Sequence, residues 1–226
     1  MKKKKLEILL ERVKGFKNPN PFKEQYMTPA PIAAELLHFA YMRGDLDGTV
    51  YDLGCGTGIL AIGAKLLGAK KVYGFDYDMD ALKVAKSNAR ELNVDIEFIN
   101  CNVRDIKGFA NTVVMNPPFG AQVKSFARGS EATSEFRYGG SKRNYMRYRE
   151  NRACEKGDRS FLKKALEISE VVYSIHNAGS MEFIKKFINP SVITDCYLIE
   201  IPIKRTFKFH KKDIKVIKAE IYRIKK

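Results

Sequence analysis

A glycine-rich segment in the first third of the chain constrains the fold most strongly. Residues 52–58 read DLGCGTG, directly after an apolar run and directly before a helical pattern. Glycines at such a point let the backbone turn sharply and let a ligand approach it closely. Asp76 directly follows the next predicted strand, where nucleotide-binding folds carry an acid for the ribose hydroxyls. The pair predicts a nucleotide site; the alternative is an ordinary strand-turn-helix.

Strand and helix patterns alternate along most of the chain. The predicted strands are 49–53, 71–75, 95–101, 112–115, 171–175, 193–203 and 215–224. The predicted helices are 2–14, one capped by Thr28, 58–67, 79–92, one from Asp158 to Ile168, and 180–188. Alternation of this kind favours an α/β fold, with helices on both faces of a mostly parallel sheet. The last two strands are joined by a short connection, so we expect an antiparallel pair that closes one edge.

The spacing of the glycines distinguishes this site from a dinucleotide site. Residues 54–58 follow G-x-G-x-G, which is shorter than the G-x-G-x-x-G fingerprint, and an acid precedes the first glycine. This arrangement resembles the methionine-binding loop of class I methyltransferases, which have a seven-stranded Rossmann-like sheet and use S-adenosylmethionine. The resemblance implies that Asp52 faces the ammonium group of this cofactor.

A second motif, NPPF over residues 116–119, ends the fourth predicted strand. Ligands bind at the carboxyl ends of parallel strands, so the motif should lie beside the glycine-rich loop. The Asn116 side-chain oxygen and the Pro117 carbonyl can accept both hydrogens of a planar amine and orient its lone pair. Pro118 keeps the backbone extended, and Phe119 offers a stacking face for a base. The motif predicts methylation of an exocyclic amine; the alternative is a simple strand-ending turn.

The chain more closely resembles methyltransferase-like protein 5 and its archaeal relatives, which methylate adenine N6 in small-subunit ribosomal RNA. Matching stretches occur in family order across nearly the whole chain. They are residues 15–16 (GF), 24–28 (EQYMT), 52–58, 116–120 (NPPFG), 172–176 (VYSIH) and 207–212 (FKFHKK). The resemblance implies an N6-adenine RNA methyltransferase, with ribosomal RNA as substrate and a small zinc-binding activator subunit as a partner.

The resemblance also implies the residues of the site. The cofactor-binding residues are Gln25, Thr28, Asp52, Gly54, Cys55, Gly56, Gly58, Asp76 and Asn102, and the catalytic residues are Asn116, Pro117, Pro118 and Phe119. Asn102 is a departure, because the family usually has an Asp there, near the adenine of the cofactor. An amide oxygen can still accept a hydrogen bond from the adenine amine, so we expect cofactor binding to survive.

Two basic segments with interleaved aromatic residues are predicted to contact RNA through phosphate contacts and base stacking. Residues 121–157 hold nine Lys or Arg against four Glu, a local excess of five, and the other segment connects the last two strands. The predicted RNA-binding residues are Arg137, Lys142, Arg143, Arg147, Arg149, Lys204, Arg205, Phe207, Lys208, His210, Lys211 and Lys212.

Both segments also have a plainer interpretation. The connection between the last strands can be a solvated hairpin loop, and residues 121–157 can be a surface insertion tolerated at low cost. The family has only a short loop before its D-x-x-F-L helix start, which this chain matches at residues 158–162. Residues 121–157 are therefore a lineage-specific insertion or an engineered graft in a single domain over residues 1–226. Our hypothesis is that they order when RNA binds.

Composition bears on the partner and the location. The chain has 41 Lys and Arg against 26 Asp and Glu, and this net charge of +15 favours a polyanionic partner, either a nucleic acid or a membrane surface. The alternative is a lysine-rich chain with solvated faces, and charge alone does not separate the two. No apolar run approaches the roughly 20 residues of a membrane span, and the lysine-rich N-terminus lacks a signal peptide's apolar core. We therefore expect a cytoplasmic protein without a membrane partner. The scattered cysteines and histidines predict neither a disulfide framework nor a metal site.

Other functions remain as alternatives. The same scaffold can methylate DNA adenine, guanine N2 or a protein glutamine, as NPPY enzymes do on release factors. A non-catalytic RNA-binding subunit should have lost its glycine loop or its acceptor Asn, and this chain keeps both. Small-molecule methyltransferases usually cover the site with an apolar lid rather than with a basic aromatic loop.

Overall fold

The structure is a computed structural model that describes residues 1–17, 19, 25–118, 157–204 and 214–226. Over these ranges the chain forms seven strands, six α-helices and one short 3-10 turn at Val103–Asp105. The helices α1 to α6 are Lys3–Leu10, Ala30–Met42, Ile59–Leu66, Met79–Glu91, Gly157–Ile168 and Met181–Ile188. The strands β1 to β7 are Thr49–Leu53, Lys71–Asp76, Glu97–Asn100, Ala110–Met115, Ser169–Asn177, Val192–Lys204 and Ile214–Lys225.

The strands form one seven-stranded sheet in the order β3-β2-β1-β4-β5-β7-β6. Strands β1 to β5 are parallel, and β7 runs antiparallel to both β5 and β6. The predicted Rossmann-like fold with an antiparallel C-terminal pair is thus confirmed. β1 pairs with β2 on one side and with β4 on the other, so the order of the strands reverses there. Ligands of such sheets bind beside this reversal.

Apolar side chains cover both faces of the sheet. On one face, α1 to α4 bury residues such as Leu6, Leu37 and Ile62. On the other face, α5 and α6 bury residues such as Leu162 and Ile184. Burying one such side chain stabilises the fold by about 1.5–3 kcal/mol, which is why the apolar periodicity located the helices.

The start of α2 differs from the prediction. Pro29 occupies the N-cap position, and no side chain caps this helix. Thr28, which was predicted to be the cap, is buried and contacts Asn116 instead. Helix α1 also ends at Leu10, earlier than predicted, because residues 11–13 form turns before the segment around Gly15. Within the described residues, no helix is both long and apolar enough to cross a membrane.

Candidate active site

A cleft of about 630 Å³ opens at the carboxyl ends of β1, β2 and β4. Most of the predicted site residues that the structure describes line it, namely Gln25, Thr28, Asp52, Gly54, Cys55, Gly56, Asp76, Asn102, Asn116 and Pro118. Gly58 and Pro117 do not line it; Gly58 is the N-cap of α3, and Pro117 is buried. The sheet thus brings the two sequence motifs to a single cavity.

The glycine-rich loop is fixed by its contacts with β2 and with neighbouring aromatic rings. The amides of Gly54 and Cys55 donate hydrogen bonds of 2.8 and 3.0 Å to the Phe75 carbonyl. Gly54 has a φ of +70°, and a Cβ on it would lie 2.8 Å from the Phe161 ring. A larger residue would therefore be strained and would clash, so the backbone itself forms this wall of the cleft.

Asp76 is the last residue of β2, and its side chain binds the backbone of the glycine-rich loop. Its Oδ2 accepts a 2.9 Å hydrogen bond from the Gly56 amide, and its Oδ1 accepts one of 2.8 Å from the Asp78 amide. A carboxylate oxygen can accept more than one hydrogen bond, so a group of this kind is suited to ribose hydroxyls. Its position fits the role predicted from the sequence.

Asp52 is a buried acid at the floor of the cleft, with 1% of its surface exposed. Its Oδ2 accepts a 2.9 Å hydrogen bond from the Ala61 amide in the first turn of α3. Burial raises the pKa of the Asp52 carboxyl to about 8; the bond from Ala61 opposes this shift, and the charge of Asp76 adds to it. Without a ligand this acid is therefore mostly protonated near pH 7, and a cation bound beside it, such as the ammonium group of S-adenosylmethionine, would favour its ionised form.

Gln25 and Asn102 line two other parts of the cleft. Gln25 Nε2 donates a 2.9 Å hydrogen bond to Asp78 Oδ2, which ties the segment before α2 to the start of α4. Asn102 Oδ1 accepts a 3.0 Å hydrogen bond from the Arg104 amide and so caps the 3-10 turn. The amide oxygen of Asn102 keeps a second lone pair for an adenine amine. The departure from the family's usual Asp therefore leaves an acceptor in place.

Aromatic residues complete the walls of the cleft, and none of them was predicted from the sequence to contact the cofactor. Tyr77 lines the cleft directly after Asp76 and is 55% exposed. Phe16 lies over the loop, since a Cβ on Gly56 would be 3.0 Å from its ring. Tyr77 could have been found as the aromatic that follows the ribose acid. The approach of Phe16 depends on tertiary contacts that no local pattern encodes.

Asn88 holds the chain before Phe16 against the loop. Its Nδ2 donates hydrogen bonds of 3.0 Å to the carbonyls of Lys14 and Thr57, and its Oδ1 accepts one of 3.0 Å from the Lys14 amide. Asn88 is almost fully buried, with 1% of its surface exposed. These bonds explain how a segment far away in sequence reaches the cofactor side of the cleft.

The NPPF motif, residues 116–119, begins directly after β4 ends at Met115. Asn116 Nδ2 donates a 3.0 Å hydrogen bond to Thr28 Oγ1, which orients the amide group and leaves Oδ1 as its acceptor. Thr28 is 5% exposed, so this contact is shielded from water. An acceptor held in this way suits an amine substrate that must present its lone pair in one direction.

The matching stretch over residues 172–176 lies inside β5. Ser174 Oγ and His176 Nε2 are 2.7 Å apart, and the His176 ring packs against Tyr222. Burial lowers the pKa of His176 to about 4, so this imidazole is neutral at physiological pH. The stretch therefore contributes to the core of the sheet.

Several predicted site residues lie outside the described residues or at their limit. Phe119 is one of the former. So are most of the predicted RNA-binding residues, namely Arg137, Lys142, Arg143, Arg147, Arg149, Arg205, Phe207, Lys208, His210, Lys211 and Lys212. Lys204 ends β6, and its side chain is not described. Over the described ranges, no group of three or more His, Cys, Asp or Glu side chains is placed to hold a metal ion.

The chain matches known proteins in two ways. The model of the ribosomal protein L11 methyltransferase (PrmA) family matches residues 36–117. This range includes β1 to β4 and ends inside the NPPF motif. An uncharacterized protein of Methanocaldococcus jannaschii is 35% identical over all of this chain and 95% of its own length. The rRNA N6-adenosine-methyltransferase METTL5 of Danio rerio is 32% identical over 99% of this chain and 98% of its own length.

A solved structure agrees with these relatives. A candidate RNA methyltransferase of Pyrococcus horikoshii superposes with a TM-score of 0.80 at 38% identity, over all of this chain and 98% of the other. The similarity to METTL5 extends over nearly the whole chain, whereas the L11 methyltransferase match is confined to residues 36–117. The predicted resemblance is confirmed: the chain belongs to the family of METTL5-type rRNA N6-adenosine methyltransferases and their archaeal relatives.

Proposed function

We propose that this chain transfers a methyl group from S-adenosylmethionine to the N6 amine of an adenine in ribosomal RNA of the small subunit. The observation that carries the proposal is the Asn116 amide, which is oriented by Thr28 at the end of β4 and opens into the cleft. Members of this family are named for the same reaction, and the described residues provide both an acceptor for the amine and a cleft for the cofactor.

The cofactor-binding residues have complementary roles in this proposal. Asp52 would hold the ammonium group, the backbone at Gly54 and Gly56 would contact the cofactor, and Asp76 would accept hydrogen bonds from the ribose hydroxyls. Asn102 accepts a hydrogen bond from the adenine amine, next to Tyr77. Gln25 and Thr28 close the cleft from the N-terminal side. When bound, the cofactor supplies an electrophilic methyl group on a sulfonium.

The protein contributes to transfer through orientation and electrostatics. Asn116 Oδ1 and the Pro117 carbonyl accept the two hydrogens of the target amine, which directs its lone pair toward the methyl group. The bound cofactor would supply the methyl group to N6 and would leave as the thioether, and the amine proton would pass from the methylated nitrogen to water. The nitrogen becomes acidic only after it is methylated, so the step needs no strong general base.

Substrate contacts outside the described residues are inferred from sequence. We infer that residues 121–157 and the basic segment around residues 204–212 bind RNA phosphates and stack on unpaired bases. Phe119 would support the target base. We also infer a cytoplasmic location, where this RNA is found, and an interaction with a small zinc-binding activator subunit.

The test is a substrate panel with labelled S-adenosylmethionine. Small-subunit rRNA, transfer RNA, DNA and a release factor are each incubated with the protein, with and without a candidate activator subunit, and products are identified by nucleoside and amino-acid analysis. We expect N6-methyladenosine in the rRNA. Label in guanine, in DNA or in a glutamine of the release factor, without N6-methyladenosine in rRNA, would refute the proposed function.

A further inference from the structure

Arg159 carries a charge that no carboxylate of the described chain neutralises. Its guanidinium carbon lies 4.8 Å from the centroid of the Phe183 ring, a cation–π contact between the first turns of α5 and α6. Its Nε is the one buried side-chain nitrogen or oxygen among the described residues that has no hydrogen-bond partner. A buried donor without an acceptor costs free energy, so the side chain would gain stability if a ligand drew the guanidinium toward an acceptor.

The position of Arg159 relates it to the active site. Its neighbours Ser160 and Phe161 line the cleft. Helix α6 starts just beyond the end of β5, so both helices begin at the carboxyl edge of the sheet. Arg159 therefore lies at the rim of the cleft, on the same face of the sheet as α6.

Other residues extend this rim into a surface. Phe183 is 37% exposed, and its ring stacks on Phe187 at 5.9 Å between centroids and 27° between planes. Lys186 is exposed three residues after Phe183, on the same side of α6. We call Arg159, Phe183, Lys186 and Phe187 the Arg159 surface. It combines positive charge with flat aromatic faces, beside the cleft that the target base must enter.

We propose that the Arg159 surface binds the RNA backbone next to the target adenine, with the Arg159 guanidinium on a phosphate. This inference rests on the proposed function. A guanidinium matches the geometry of phosphate oxygens. The Phe183 ring contacts the Arg159 guanidinium without neutralising its charge. A carboxylate partner would cancel that charge, whereas a ring leaves it available. The target adenine must be unstacked to reach Asn116, so the adjoining nucleotides are single-stranded and can follow the rim.

The test compares RNA binding by four variants of the full chain over a range of salt concentrations. Arg159→Ala should weaken binding about fourfold at roughly 0.15 M salt and reduce the salt slope by about 0.7, the effect of one phosphate contact on a single strand. It should raise KM for RNA more than it lowers kcat. Arg159→Lys should keep the slope but bind more weakly than wild type. Phe183→Leu should weaken binding less than Arg159→Ala and leave the slope unchanged, because the charge remains.

The matched control is Arg90→Ala, which removes an exposed arginine from α4 on the opposite face of the sheet. Cofactor affinity and Tm verify the fold of each variant. If Arg159→Ala binds RNA with the affinity and slope of Arg90→Ala, the Arg159–Phe183 pair is only structural and the inference is wrong. The proposed function is judged separately: it fails if the wild-type chain does not form N6-methyladenosine, whatever the variants do.

Discussion

The Asn116 side chain donates a 3.0 Å hydrogen bond to the hydroxyl of Thr28, a residue 88 positions earlier in the chain. This contact links the segment before α2 to the end of β4. It fixes which end of the amide group faces Thr28, and it therefore leaves the oxygen to accept the target amine. The contact gives Thr28 a positioning role that can be measured.

Thr28→Val should lower kcat roughly tenfold, because the Asn116 amide loses its acceptor and can rotate. Val has nearly the shape of Thr, so Tm and cofactor affinity should change little. Thr28→Ser keeps the hydroxyl and should restore most of the activity. Steady-state kinetics on rRNA check this, and equal kcat values for Thr28→Val and wild type would show that the contact has no role in transfer.

Asp76→Ala should weaken cofactor binding by about 1–3 kcal/mol, since ribose hydroxyls would lose their acceptor. The variant also removes the partner of the Gly56 amide, which acts in the same direction. Asp80→Ala is the control, because that carboxylate is 87% exposed in the first turn of α4. Calorimetry that finds the same affinity for wild type and Asp76→Ala would contradict the assignment of Asp76.

The pH dependence of stability should report on Asp52. Its carboxyl has a pKa of about 8 in the folded chain against an ordinary value of 3.8, so folding favours the protonated form. The stabilisation from this group is complete below pH ~4 and is lost as the pH rises toward ~8. Asp52→Asn mimics the protonated acid. The ligand-free variant should therefore lose less stability than wild type between these pH values; parallel curves would show that Asp52 is ionised in the folded chain.

Much of this site could be predicted from sequence because its parts are local. The glycines at residues 54–58 and the acid at Asp76 follow directly from their strands, and parallel strands place such ends together. Thr28 was misread, because a Thr before Pro is typical of a helix start, and only the folded chain brings it to Asn116. The position of β7 between β5 and β6 could not be predicted either, because alternation of apolar and polar residues predicts a strand but not the strands beside it.

Shortening residues 121–157 to a few residues should leave cofactor affinity and Tm almost unchanged, because long surface insertions cost little. If the segment binds RNA, the shortened chain should bind RNA more weakly and with a flatter salt dependence. RNA titrations at several salt concentrations check this. Equal binding and methylation at every salt concentration would mean that the segment is a plain insertion and that specificity lies elsewhere.

Asn116→Ala removes the side-chain oxygen that we propose accepts the target amine. The variant should keep its fold and its affinity for S-adenosylmethionine but lose most methyl transfer, because orientation and charge stabilisation are both removed. The measurement is the amount of N6-methyladenosine formed in small-subunit rRNA under single-turnover conditions, with calorimetry on the same sample to verify cofactor binding. We expect a loss of about 100-fold or more in rate. A near-normal rate with intact cofactor binding would contradict it.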